Sequence, residues 1–123
     1  MQIVGLDHVQ VAAPTDCEGA ARQFYGRLLG LPELAKPATL QGRGGAWFKC
    51  GPQQLHVGVA KDFSPATKAH PAFRVDISAL DLIAARLVEA GSPVEWDTAV
   101  PETRRFYTED PWGNRIELIA AAH

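Results

Sequence analysis

Residues 5–13, GLDHVQVAA, and residues 70–76, HPAFRVD, decide the fold, because they are two versions of one opening. In the first, Leu6, His8, Gln10 and Ala12 alternate with Asp7, Val9 and Val11, the period of two that marks a strand. A helix pattern follows: Thr15 with Glu18 three residues on has the form of a capping box, Ala20, Ala21, Phe24 and Leu28 recur at helical spacing, and Gly30 supplies a stop before Leu31 and Pro32. The second opening reads as a strand over 70–76. After it come Ser78 and Asp81 as a capped start, Leu80, Ile83, Ala84, Leu87 and Val88 as an apolar helix face, and Gly91 as the stop before Pro93. The offsets are nearly constant: 62 from His8 to His70, 63 from Thr15 to Ser78, 61 from Gly30 to Gly91 and 61 from Pro32 to Pro93. That regularity is the signature of a duplicated unit.

Three strand-like stretches follow each helix, at 33–40, 46–50 and 54–60, then at 93–97, 104–109 and 115–120. Each half is therefore expected to be βαβββ, and the fold class is α+β, one domain over 1–123 with halves at 1–62 and 70–120. Lys61 to Ala69 reads as the linker, and Asp110-Pro111-Trp112-Gly113-Asn114 supplies turn chemistry before the last strand. A half of about 60 residues is marginal alone, so the halves are expected to pair. Helices would then cover the outer face of a curved mixed sheet, leaving a trough on the other.

The length, 46% hydrophobic and 21% charged residues describe an ordinary folded domain rather than a disordered chain. Twelve Lys and Arg against 14 Asp and Glu give a net charge of -2, which argues against nucleic acid or an anionic membrane as partner. The N-terminus has no basic, apolar leader pattern and no stretch approaches the roughly 18 apolar residues of a membrane span, so a cytoplasmic protein is expected. Cys17 and Cys50 lie 33 residues apart without a CxxC pairing and suggest neither a disulfide framework nor a thiolate metal site.

Chemistry enters on the face turned away from the helices. Leu55, Val57 and Val59 alternate with Gln54, His56 and Gly58; Val9 and Val11 oppose His8; Phe73 and Val75 oppose His70; Ile116 and Leu118 oppose Glu117. Three of the four histidines in the chain thus fall on first or last strands of a half, facing the trough. His56 and Glu117 are 61 apart, so the four residues occupy two pairs of equivalent positions. Imidazole nitrogens with a carboxylate oxygen suit a divalent Zn, Ni, Co, Mn or Fe(II) ion. Taken singly, each histidine is better read as a polar residue on the wet side of a sheet; four such residues at repeat-equivalent positions turn the reading toward a metal.

The strings LDHVQVAAP, AARQFYGRLLGLPE, HPAFRVD and EDPWGNRIELI resemble the vicinal oxygen chelate superfamily over essentially the whole chain. That superfamily contains glyoxalase I, extradiol dioxygenases, methylmalonyl-CoA epimerase, fosfomycin-resistance thiol transferases and bleomycin-binding proteins. The resemblance implies metal ligands at His8, His56, His70 and Glu117, with Glu117 as catalytic proton shuttle, and a homodimer whose ligands come from one chain or two. Bacterial glyoxalase I has Glu where this chain has His56, a departure that counts against that activity. Extradiol dioxygenases and thiol transferases share the triad at His8, His70 and Glu117, whereas bleomycin-binding relatives lack a metal set.

Arg74 and Arg115 share the parity of His70 and Glu117 and are expected to hold an anionic group on a small-molecule substrate, or to be solvated strand charges. Gln10 and Gln54 are expected to orient imidazoles or simply to line the trough. Trp47, Phe48, Phe106, Tyr107 and Trp112 flank the site, although strand aromatics are more often core or cross-strand packing; Trp47 and Tyr107 are the expected substrate contacts, while Arg104-Arg105 reads as a charge pair at a loop end rather than a gate for an anionic ligand. Three functions compete: a metal-dependent lyase or isomerase acting on a small oxygenated metabolite, an Fe(II) dioxygenase or fosfomycin-type thiol transferase, and a non-catalytic bleomycin-resistance-type binding protein.

Overall fold

The computed structural model describes residues 2–121. The chain divides between Ser64 and Pro65, inside the expected linker, into two compact units. The first contains β1 (His8–Ala13), a short helix α1 (Glu18–Ala21) continued by π-helical turns over Arg22–Leu28, β2 (Glu33–Leu34), a 3-10 turn (Ala38–Arg43), β3 (Ala46–Cys50) and β4 (Gln53–Val59). The second contains β5 (Ala72–Arg74), α2 (Ile77–Glu89), β6 (Glu95–Asp97), β7 (Thr103–Glu109) and β8 (Arg115–Ala121).

Each unit holds a four-stranded mixed sheet, ordered β1-β4-β3-β2 and β5-β8-β7-β6, whose first strand runs parallel to its last while the other neighbours are antiparallel. The duplication is therefore topological as well as sequential. Matching rows cross the sheets: Val9, Leu55 and Phe48 are register partners in the first, and Phe73, Leu118 and Phe106 in the second. Leu55, Phe48, Leu118 and Phe106 are buried with Ala21, Phe24 and Tyr25 in the first unit and Leu80, Ile83, Ala84 and Leu87 in the second, so each sheet has one apolar face and one that carries the polar residues. Phe48 and Phe106, both fully buried, belong to the apolar faces, the core packing that is the commoner role of strand aromatics.

Local differences have local causes. The strand expected over 70–76 is only Ala72–Arg74, since Pro71 offers no N–H to a ladder and Asp76 turns to cap α2 by accepting from the Ser78 N–H at 2.9 Å. Ser78 is thus not the cap, and Asp81 instead meets Arg104 at 3.1 Å. In the first unit Thr15 caps nothing, because Asp16 takes a left-handed φ of 61° and α1 starts at Glu18. The π turns then bury Phe24 and the adjacent Tyr25 together, which a 3.6-residue period does not anticipate. The weak strand at 33–40 shrinks to two residues before the 3-10 turn. Both glycine stops hold, with φ of 79° at Gly30 and 85° at Gly91.

Gly45 fixes where β3 enters the sheet. Its φ is +83°, and a Cβ there would lie 2.1 Å from the Val57 carbonyl oxygen. Its N–H donates at 2.7 Å to Glu18 Oε2, a bond that holds the Glu18 carboxyl below its ordinary range against partial burial. Gly45→Ala combines a left-handed alanine with a backbone overlap and is expected to lower stability by about 2–3 kcal/mol. A urea midpoint equal to that of the wild type would contradict this.

Candidate metal centre

In the first unit, His56 is the central ring of a three-ring stack. Trp47, its register partner on β3, lies 3.9 Å away between ring centroids at an interplanar angle of 4°, and His8 lies 4.2 Å away at 18°. His56 is 5% exposed, and its Nε2 is 2.8 Å from Gln54 Oε1. Burial, reinforced by the neighbouring His8, holds its pKa below the ordinary imidazole range, so the ring is neutral near pH 7. His8 remains open, with Nδ1 2.9 Å from the exposed carboxylate of Asp7. Gln10 points elsewhere: a Cβ on Gly58 would come within 2.7 Å of its carboxamide.

The second unit repeats this layout with different chemistry. Tyr107 is the register partner of Glu117 as Trp47 is of His56, and Arg115 opens β8 where Gln54 stands near the start of β4. His70 Nε2 lies 3.0 Å from Glu117 Oε1, and His70 Nδ1 lies 2.8 Å from the Lys68 carbonyl oxygen. A carbonyl only accepts, so Nδ1 carries a hydrogen, and a ring with that one hydrogen would turn a lone pair toward the carboxylate oxygen. Two lone pairs cannot satisfy each other; the pair is complete only with a proton or a cation between them. His8 is held in the same way, its Nδ1 directed at the Asp7 carboxylate. Imidazoles so oriented by an oxygen acceptor are the usual form of a metal-binding histidine, and nitrogen with carboxylate oxygen, as His70 and Glu117 offer, is a donor chemistry that suits a divalent ion.

Around Glu117 the structure adds a residue that sequence reasoning misplaced. Arg105 NH1 lies 3.5 Å from Glu117 Oε2 and its NH2 3.5 Å from Asp97. The expected loop-end pair is in fact two successive residues of β7, which point to opposite faces: Arg104 toward Asp81 and the Trp96 ring, Arg105 toward Glu117. Alternation with Tyr107 was the available signal. The Arg115 guanidinium lies over the Tyr107 ring at 3.9 Å, and the two line a cavity of about 190 Å³ with Thr67, Thr108 and the carboxylates Glu95 and Glu109. His70 meets the edge of Tyr107 at 5.4 Å. Arg74 is exposed on β5, opposite in parity to the buried Phe73, as expected. The four expected ligands thus meet as two pairs, His8 with His56 and His70 with Glu117; among the described residues no group of three or more His, Cys, Asp or Glu is placed to hold a metal. Nor is any described helix long and apolar enough to cross a membrane.

Comparison with known proteins follows this geometry. A glyoxalase family protein from Bacillus anthracis is 50% identical, covering 98% of both chains with a TM-score of 0.92. Two more distant structures share the fold: lactoylglutathione lyase from Agrobacterium tumefaciens, 21% identical over 98% of this chain and 96% of its own with a TM-score of 0.75, and the fosfomycin resistance protein FosX from Listeria monocytogenes, 18% identical over 98% and 95% with a TM-score of 0.81. The latter was crystallised with Mn(II) and 1S,2S-dihydroxypropylphosphonic acid. A search of curated proteins gave no match. Residues 5–118 match the family described as Glyoxalase/Bleomycin resistance protein/Dioxygenase superfamily, and the chain belongs to that superfamily.

Proposed function

We propose that this protein is a metal-dependent enzyme of lyase or isomerase type that acts on a small oxygenated metabolite. The observation that carries the reading is the Nε2 of His70 set 3.0 Å from the Glu117 carboxylate, an arrangement completed by a proton or by a metal cation between them. His70 and Glu117 would hold a divalent ion with His8, supplied by this chain or by a second copy in a homodimer. Mn(II), the ion carried by the FosX relative, is the first to test. Such an ion, when bound, supplies Lewis-acid stabilisation of negative charge developing on a substrate oxygen.

The chain's own residues have separable tasks. By the family resemblance, Glu117 would take a proton from the substrate and return it. Arg105 offsets the Glu117 charge through its second carboxylate oxygen, and Arg115, over the Tyr107 ring, would offer its guanidinium to an anionic substituent at the cavity. Trp47 presents a ring beside His56 that a substrate can pack against.

The test is elemental analysis of the purified protein, then metal restoration to the apo-protein with a panel of hemithioacetals, 2-oxo thioesters, catechols and fosfomycin. Turnover of one class with about one ion per site is the expected result. Oxygen-dependent catechol cleavage with Fe(II) would move the assignment to a dioxygenase. Inactivity across the panel with tight retention of an unreacted ligand would make it a binding protein.

A further inference from the structure

Although the repeat places His56 where Glu117 stands in the other half, we infer that His56 is not a metal ligand but a positioning residue that holds the His8 imidazole by stacking, with Trp47 as its backing. The inference rests on the metal reading above and concerns how the first unit prepares its ligand. A ligated ion lies close to the plane of each imidazole, about 2.0–2.1 Å from the nitrogen. The His8 and His56 rings are stacked 4.2 Å apart and inclined by only 18°, so their planes converge far beyond that reach, and one ion cannot satisfy both.

Hydrogen bonding separates the two rings in the same sense. His8 and His70 both direct Nδ1 at an oxygen acceptor close in sequence, whereas His56 directs Nε2 at Gln54 Oε1, so the nitrogen through which the other two rings would bind an ion is occupied in His56 by an amide. Burial adds to this: His56 is enclosed, while His8 keeps 44% of its side chain exposed. A half-exposed imidazole has rotameric freedom to lose on binding an ion. A fixed ring against its face removes much of that freedom in advance.

The substitution that separates the roles is His56→Phe, which keeps a flat ring in the stack but has no nitrogen to coordinate. Titrated with Co(II) alone, this variant is expected to keep wild-type stoichiometry and visible spectrum, with affinity within about threefold, while His56→Ala weakens binding about tenfold, the scale of losing a residue that orients a ligand. In the metal-free protein, the His8 ring protons are expected to resonate upfield in wild type and His56→Phe and to move downfield in His56→Ala. Loss of Co(II) from His56→Phe as severe as from His8→Ala, or a changed Co(II) spectrum, would overturn the inference, as would unshifted His8 protons in the wild type. Should the wild type bind no Co(II), Mn(II) or other divalent ion, the functional reading falls; the stacking role then stands or falls on the His8 shift alone.

Discussion

Glu117→Gln is expected to cut affinity for Mn(II) by about 100-fold or more while leaving the metal-free fold at least as stable as the wild type, with losses of 10 to 100-fold for outer-shell changes as the floor. The two halves of this expectation share one cause. Glu117 Oε1 faces the Nε2 of His70 at 3.0 Å, and Oε2 faces Arg105 at 3.5 Å. A glutamine turned so that its oxygen meets Arg105 presents its NH2 to His70, converting two opposed acceptors into a donor and an acceptor. The metal loses an anionic donor, and the apo-protein gains a hydrogen bond. Titration calorimetry with Mn(II) and thermal melting of metal-free protein read the two effects separately. Unchanged Mn(II) affinity would remove Glu117 from the ligand set. Reduced affinity accompanied by a lower melting temperature would instead point to a structural role for the carboxylate.

How much of this was legible beforehand depends on the range of the interactions involved. The βαβββ repeat was readable because β3, β4, β7 and β8 each alternate cleanly and because Gly30 and Gly91 mark helix ends through backbone geometry alone. Parity also put His8, His56 and Glu117 on the polar side of their strands, since a two-residue period leaves no other choice once the apolar face is known, while His70 stands two residues before β5. What escaped was set by partners distant in sequence. Glu18 forgoes a capping box because the Gly45 N–H, 27 residues away, takes its carboxylate. Asp81 is drawn to Arg104 and Arg105 to Glu117 by strand pairing that no local pattern specifies. The ring stack needs the registers of β1, β3 and β4 together, so it too could not be read from one strand.

The second large effect is expected at the turn that delivers Glu117. Asp110 is 4% exposed; its Oδ1 accepts from the Trp112 N–H at 3.1 Å and the Asn114 N–H at 2.9 Å, and its Oδ2 accepts from Asn114 Nδ2 at 2.8 Å. Asn114, 2% exposed, in turn accepts from the Ala66 N–H through Oδ1 at 2.9 Å, while the Arg115 N–H donates to the Ala66 carbonyl at 2.9 Å. One carboxylate therefore closes the turn and fixes it to the segment after Ser64, just where β8 begins. Asp110→Ala leaves three donors facing a cavity, each worth about 1–3 kcal/mol when buried without a partner, so a loss of about 3–5 kcal/mol is expected. Asp110→Asn separates charge from shape: its oxygen still serves the two backbone N–H groups, but its NH2 opposes the NH2 of Asn114. Asn114 cannot relieve this by rotating its amide without giving up Ala66, so roughly half the loss is expected to persist. Urea denaturation of both variants measures the order, wild type above Asp110→Asn above Asp110→Ala. An Asp110→Ala protein within about 1 kcal/mol of wild type would show that the turn closes without its carboxylate. If the turn does set the register of β8, Mn(II) affinity should fall along the same order, because Glu117 lies two residues beyond Arg115 on that strand.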